Sequence, residues 1–514
     1  MNGAETLIST LNANNVDVCF ANPGTSEMQL VAAIDKEKDM RAVLCLFEGV
    51  VTGAADGYGR MTDKPALTLL HLGPGLGNGT ANLHNARRAF SPVLNMIGDH
   101  ATYHLEYDAP LTADVEGFAK PVSDWVGTST SENNLAETGL EALTESLRYP
   151  GRVASFIAPA DHAWNAADTP NLKLIPPETP VAEADVIKES GTALSIDSPA
   201  ALYLGGRALR EDALHQAGRI AAKTGARIIC ETFTARLQRG AGRVPVERLP
   251  YFGEQASDFL KDFEAMVCVG AKPPVSFFAY PGKPSWLTPE STNLVQLADT
   301  DTDALDALTR LADALNAPAD PKKLQPAAMP PVEDGKLNPL DLGKVLCAHM
   351  PEDAIVSDEA ATSGLFIFPA TAGAAKHDWL MLTGGAIGQG LPAALGAAIA
   401  CPDRKVIALQ ADGSAMYTNQ ALWTMARENL DVTTIILNNG SYAILKIELE
   451  RVGVTDPGEK ALSLLDLTKP AIDWTAISTG MGVPAERVDT VEAFRDSLIK
   501  ALGAKGPRLI EAII

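Results

Sequence analysis

Residues 405–440 read KVIALQADGSAMYTNQALWTMARENLDVTTIILNNG. An apolar run, Lys405–Gln410, enters Ala411-Asp412-Gly413-Ser414, a stretch with helical spacing follows, and a second apolar run ends in Asn438-Asn439-Gly440. Two strand-like runs joined by a helical crossover predict a parallel βαβ unit. Both strand ends then lie on one carboxyl edge, the usual ligand edge of such sheets. Read singly, Asp-Gly and Asn-Gly are common turn pairs. Here Asn438 follows Asp412 by 26 residues, and both turns close strands.

That arrangement lets Asp412 and Asn439 offer oxygens to one cation. A carboxylate, an amide oxygen and a backbone carbonyl leave room for two phosphate oxygens and a water, which suits octahedral Mg²⁺ holding a diphosphate. Gly413 lets backbone approach a phosphate, and Ser414 opens a helix whose N-terminus favours anions.

The same alternation extends outward through the chain. Strand-like runs at Val16–Phe20, Arg41–Phe47, Ala66–Leu72 and Val93–Ile97 alternate with helical stretches at Ser26–Lys36, Glu48–Arg60 and Gly75–Ala89. A second block runs from ALYLGG (201–206) through ARIICETF and AMVCVGA to a helical DALDALTRLADAL. Pro-rich stretches separate the blocks. The expected organisation is α/β, with domains at 1–168, 198–316 and 336–514 and linkers at 169–197 and 317–335.

Of the 514 residues, 46% are hydrophobic and 21% charged, which excludes a disordered chain. The net charge of −22 argues against nucleic-acid and membrane-surface partners. Cysteines 19, 45, 230, 268, 347 and 401 form no CxxC pair, so buried free thiols in a reducing compartment are expected. The N-terminus shows no basic stretch followed by an apolar core. The expected setting is cytoplasmic.

The first block supplies a carboxylate of its own. Glu48 closes the apolar run Arg41–Phe47 and opens the Gly/Ala-rich stretch EGVVTGAADGYGR. Read alone it is also an ordinary acid at a helix N-terminus.

Seven stretches together resemble thiamin-diphosphate enzymes: FANPGTSE (20–27), LFEGVVTGAADGYGR (46–60), LLHLGPGLGNG (69–79), GGAIGQGLPAALG (384–396), ADGSAMYTNQALWT (411–424), LNNGSYAIL (437–445) and AKGPRLIEA (504–512). The resemblance covers about residues 5–512 and is nearest to the acetolactate synthase and benzoylformate decarboxylase branch. It implies three doubly wound parallel-sheet domains: pyrimidine-binding, central and diphosphate-binding. It makes Asp412, Asn439 and the Ser441 carbonyl the Mg²⁺ ligands, and Gly413 and Ser414 diphosphate contacts, with Thr362 a further candidate. Ile387 matches the wedge between the two cofactor rings, and Gly385 the carbonyl that accepts from the 4′ amino group. Glu48 matches the acid at N1′ of the pyrimidine, which activates an internal base for removal of the C2 proton. Ser26 and His71 resemble residues that orient a 2-oxo acid carboxylate and relay protons.

Four departures bear on the subfamily. Ala411 stands where the family's metal motif begins with glycine. No histidine lies between His215 and His349, and Phe277 and Phe278 occupy the loop where benzoylformate decarboxylase carries a second active-site histidine. Glu448 stands where that enzyme has a substrate-facing aromatic. Gly205-Gly206-Arg207 is the middle block's one nucleotide-like feature, and the chain is shorter than flavin-containing acetolactate synthases, which argues against FAD.

The resulting expectation is decarboxylation of a small 2-oxo acid such as pyruvate, followed by transfer to a carbonyl acceptor, in a homodimer or homotetramer. Simple decarboxylation of benzoylformate type is the alternative. A non-catalytic binding or regulatory subunit is a distant third.

Overall fold

Three mostly parallel sheets carry the molecule; their central strands are apolar runs covered on both faces, as helices on both sides of a sheet require, while edge strands are partly exposed. The computed structural model describes residues 1–168, 172–195 and 197–514.

The first sheet contains β1 (Val18–Asn22), β2 (Arg41–Leu44), β3 (Ala66–His71), β4 (Val93–Asp99), β5 (Trp125–Thr128) and β6 (Val153–Pro159), in the order β2-β1-β3-β4-β6-β5. The second contains β7 (Ala200–Leu204), β8 (Arg227–Cys230), β10 (Glu247–Arg248), β11 (Ala265–Val269) and β12 (Asn293–Ala298), in the order β10-β8-β7-β11-β12. The intervening β9 (Leu237–Arg239) leaves that sheet and pairs antiparallel with the third. The third sheet contains β13 (Ala354–Glu359), β14 (His377–Met381), β15 (Val406–Ala411), β16 (Val432–Asn438), β17 (Ala485–Val488) and β18 (Arg508–Ile513), in the order β17-β18-β16-β15-β13-β14-β9. The first and third sheets thus each present a carboxyl edge built from several strand ends.

The stretch expected as a linker at 169–197 is not all linker. Residues 169–171 and 196 lie outside the described residues. Ala184–Leu194 is a helix that buries Ile187, Ala193 and Leu194. Its apolar residues recur at helical spacing, and burying that face overrides the polar, Pro-rich character of the segment before it.

The first and third sheets are joined through two helices, Glu48–Thr62 and Gly390–Ala400, whose apolar faces share one core containing Val50, Val51, Ala54, Leu391, Ala394 and Ala398. The helices approach so closely that a Cβ on Gly57 would sit 2.1 Å from the Ala393 carbonyl oxygen, and one on Gly396 1.9 Å from that of Ala54. Arg60 binds Asp56 through two bonds of 2.8 and 2.7 Å and donates to the Met381 carbonyl at 2.7 Å. Gln389 donates to the same Asp56 carboxylate at 3.0 Å. This buried pair has its remaining hydrogen-bonding capacity filled, the condition under which burying charge is tolerated.

Cys19, Cys45, Cys230, Cys268 and Cys347 are buried, Cys401 is half-buried, and all six are free. Among the described residues no helix is long and apolar enough to cross a membrane.

Candidate active site

The carboxyl edge of the first sheet gathers Ser26, Glu27, His71 and Glu48. Ser26 lies in the 3-10 turn Thr25–Glu27 after β1, and His71 ends β3. The Ser26 hydroxyl donates to Glu27 Oε1 at 2.7 Å and lies 3.3 Å from His71 Nδ1. Glu27 is fully buried, and its Oε2 lies 2.8 Å from His71 Nδ1 and accepts from the Gly24 N–H at 2.7 Å. A carboxylate only accepts, so Nδ1 carries the proton of that bond and Nε2 is left as the ring's other proton-transfer position. Gly98 of β4 makes room: a Cβ there would lie 2.0 Å from Glu27 Oε1.

Glu48 begins its helix directly after the extended Phe47, is 7% exposed, and accepts from Asn78 Nδ2 at 3.0 Å. Asn78 and Asn82 lie on the helix Leu72–Arg88 that follows His71. Asn82 donates to Gly49 O at 2.7 Å and to Gly388 O at 3.2 Å. One amide therefore links the residue after Glu48 to the residue after Ile387.

On the third sheet, β15 passes into a short helix at Asp412, and β16 runs parallel to it and ends at Asn438. Asp412 is 2% exposed, accepts from Gly413 N at 3.0 Å through Oδ1, and from Gly440 N at 2.9 Å through Oδ2. The two turns expected from sequence thus meet. Burial pushes the Asp412 carboxyl above its ordinary range, backbone N–H groups only partly opposing it. Asn439 Oδ1 accepts from Ser441 N at 2.9 Å, and Gly440 takes a left-handed φ of 64°.

Among the described residues no three His, Cys, Asp or Glu side chains cluster as a metal cage. A single buried carboxylate beside an amide and backbone oxygens is a hard-oxygen donor set of the kind Mg²⁺ uses when phosphates and water complete its shell. The residues present fit such an ion. Gly413 sits under Tyr442, where a Cβ would lie 2.4 Å from the ring, and Ser414 donates to Ala411 O at 3.1 Å.

The Gly384–Gly390 loop before the Gly390–Ala400 helix carries Gly385 and Ile387. Gly385 is left-handed at φ 74°, and Phe277 lies against it: a Cβ there would be 3.0 Å from the Phe277 ring. Phe277 packs in a cluster with Phe233, Tyr251 and Phe278, at ring separations of 5.1–5.5 Å. This aromatic cluster is contributed by the middle of the chain, from a loop far in sequence from Gly385. Glu448, on the helix Ala443–Arg451, accepts from Tyr280 and lies 3.4 Å from Arg451 Nε. Thr362 falls in a 3-10 turn after β13, and no hydrogen bond of its side chain joins it to Asp412 or Ser414.

Sequence reasoning passed over Glu27 and Glu359. Glu27 closes the quoted stretch FANPGTSE, so the signal was at hand. Glu359 ends β13 as Asp412 follows β15, and its two oxygens accept from Gly388 N at 2.6 Å and Gly390 N at 2.7 Å. A strand-end carboxylate is legible in AIVSDE (354–359), three residues before Thr362.

Known proteins match this architecture. The thiamine pyrophosphate enzyme N-terminal TPP binding domain matches residues 1–120, and the C-terminal TPP binding domain matches 370–512. The "Putative acetolactate synthase large subunit IlvX" of Mycobacterium tuberculosis is 51% identical, covering 100% of this chain and 99% of that protein. Benzoylformate decarboxylase of Pseudomonas aeruginosa is 28% identical over 98% of this chain and 96% of its own. Among solved structures, the thiamine diphosphate-dependent 4-hydroxybenzoylformate decarboxylase of Rhodococcus jostii RHA1 superposes with a TM-score of 0.88 at 26% identity, covering 100% of this chain and 99% of that one.

Proposed function

The chain belongs to the thiamine pyrophosphate enzyme family, and we propose that within it the protein decarboxylates a small 2-oxo acid such as pyruvate and joins the resulting hydroxyalkyl unit to a carbonyl acceptor, as acetolactate synthases do. The observation that carries this reading is Phe277 against Gly385. An apolar ring from the middle of the chain stands where the benzoylformate decarboxylase pattern places a second proton donor. Slower protonation gives a carbonyl acceptor time to compete.

In this reading Asp412, Asn439 and the Ser441 carbonyl hold Mg²⁺, while Gly413 and Ser414 receive the diphosphate. Bound there, thiamin diphosphate supplies a nucleophilic carbon and an electron sink. Glu48 holds a carboxyl group toward the pyrimidine, steadied by Asn78. Ser26 orients the substrate carboxylate. Glu27 fixes the tautomer of His71, whose Nε2 moves a proton to or from the substrate oxygen. The middle region is read as free of FAD, and the setting as cytoplasmic.

Assembly as a homodimer or homotetramer belongs to the same reading, with Glu48 serving a cofactor whose diphosphate a second copy holds. Exposed Tyr103, Tyr107 and Phe118 after β4, and Tyr417 beside the metal motif, supply apolar surface for that contact.

A second reading, simple decarboxylation, has one observation of its own. His100 follows β4 two residues after Gly98, which abuts Glu27, and its Nε2 is buried with no hydrogen-bond partner. In this reading His100, when it carries a proton on Nε2, returns that proton to the carbanion.

The test is a panel of 2-oxo acids with and without aldehyde or pyruvate acceptors, read by product mass. Hydroxyketone exceeding free aldehyde, with pyruvate faster than benzoylformate, is expected. Benzaldehyde from benzoylformate as the fastest product establishes the second reading instead.

A further inference from the structure

Glu359 is 3% exposed, and both its oxygens are spent on the backbone of one turn, Gly388 N at 2.6 Å and Gly390 N at 2.7 Å. These N–H groups flank Gln389, and that of Gly388 immediately follows Ile387. The opposite side of the same turn is held as well. The Gly388 carbonyl accepts from Thr418 Oγ1 at 2.8 Å and from Asn82 Nδ2 at 3.2 Å, and the Gly390 carbonyl from Ser357 Oγ at 2.8 Å. Gly388 has a left-handed φ of 97°, a conformation that costs any residue with a Cβ. A Cβ on Gly390 would lie 2.9 Å from that of Glu359 and 1.8 Å from Gln410 Nε2. The turn is therefore built around the carboxylate.

We propose that Glu359 is a positioning residue: by gripping the Gly388 and Gly390 N–H groups it fixes the Ile387 turn in the one shape that presents Ile387 to the two rings of the cofactor. This rests on the functional reading above, in which Ile387 wedges the rings.

The plain alternative is that Glu359 only caps the helix Gly390–Ala400, as an acid at a helix N-terminus does. Two features go beyond capping. Gly388 lies outside the helix, yet its N–H is bonded as tightly as that of Gly390. Burial also pushes the Glu359 carboxyl up to about 7, with Asp358 adding to the rise and the Gly388, Gly390 and Gln410 bonds opposing it. A neutral Ser or Asn would cap a helix without that electrostatic penalty.

Three measurements on full-length protein test the proposal, using Glu359→Gln, Glu359→Asp and Thr418→Val. Gln has one acceptor oxygen for two donors, Asp lacks the reach, and Val removes the hydroxyl on the Gly388 carbonyl. In cofactor-free protein, amide hydrogen exchange in peptides covering 382–391 is expected to quicken at least about tenfold in both Glu359 variants, the scale of a lost hydrogen bond to a charged group. With Mg²⁺ and thiamin diphosphate bound, calorimetric affinity is expected to stay within about threefold, while proton exchange at the cofactor's C2 slows about tenfold or more. Thr418→Val is expected to move both rates in the same directions by less.

A capping role alone predicts a lower melting temperature with C2 exchange within twofold of the parent in folded Glu359→Asp and Thr418→Val, and that result overturns the proposal. Unchanged exchange in the 382–391 peptides overturns it too. If the parent protein binds no thiamin diphosphate, the functional reading fails instead, and the proposal falls with it even where the peptides respond.

Discussion

The carboxyl edges of the first and third sheets solve opposite electrostatic problems. On the first edge, carboxylates meet mainly side-chain donors: Glu27 takes bonds from Ser26 and His71 besides the Gly24 N–H, and Glu48 takes one from Asn78. On the third edge, buried Asp412 and Glu359 meet backbone N–H groups, no Lys or Arg bonds to either among the described residues, and burial raises both pKa values. The first edge pairs each carboxylate with a side-chain donor. The third buries two carboxyl groups that only backbone N–H groups and an amide oppose, which leaves Asp412 suited to a cation and makes Glu359 the anchor of a turn.

The comparison breaks most sharply at Glu48. Glu48→Gln keeps the shape and removes the charge, and C2 proton exchange of bound cofactor should fall by roughly 10²–10⁴-fold, the usual scale of acid–base assistance. A parental exchange rate removes Glu48 from the chemistry. On the opposite edge, Asp412→Ala should weaken Mg²⁺ and thiamin diphosphate together by about 10²-fold or more, since Asp412 would hold the diphosphate through that ion. Unchanged calorimetric affinity moves the metal elsewhere.

Glu27→Gln sharpens the first edge. Gln can present an NH₂ to His71, loosening the tautomer, so kcat/KM should drop about 10²-fold or somewhat less, with the pH profile shifted. An unaltered profile leaves Glu27 purely structural.

The smallest effect concerns pH and Glu359. A carboxyl whose folded pKa is raised to about 7 holds its proton more tightly in the folded chain than in the unfolded one. Folded stability therefore falls as pH rises from the ordinary carboxylate range through 7. Glu359→Gln lacks this proton while keeping Asp412, so its stability relative to the parent should rise by on the order of 1–2 kcal/mol between pH 5 and pH 8. Parallel denaturation curves at the two pH values contradict this.

Strand ends carrying chemistry were legible because a parallel sheet converts sequence order into a shared edge. Asp412 and Asn439 are placed at strand ends that way, and the structure puts them directly after β15 and β16. Glu27 and Glu359 were in view as letters but not as roles, since an acid beside apolar residues reads equally as a solvated turn. Their roles depend on what faces them: Gly98 from β4, and the Gly388 and Gly390 N–H groups across the third sheet. The helix Ala184–Leu194 was hidden by its Pro-rich approach, because composition averaged over a window masks a short amphipathic face.

The sequence by itself determined the α/β class, the family, and the positions of Glu48, Asp412 and Asn439, because local periodicity and strand-end placement are properties of the chain read in order. Only the tertiary structure decided that Asn82 ties the Glu48 helix to the Ile387 turn, that Phe277 lies on Gly385, and that Glu359 is spent on backbone. Each of these joins residues tens to hundreds of positions apart. Such contacts are set by how helices and sheets pack, through glycines that admit close approach and buried carboxylates that must find donors. No window of sequence contains both partners.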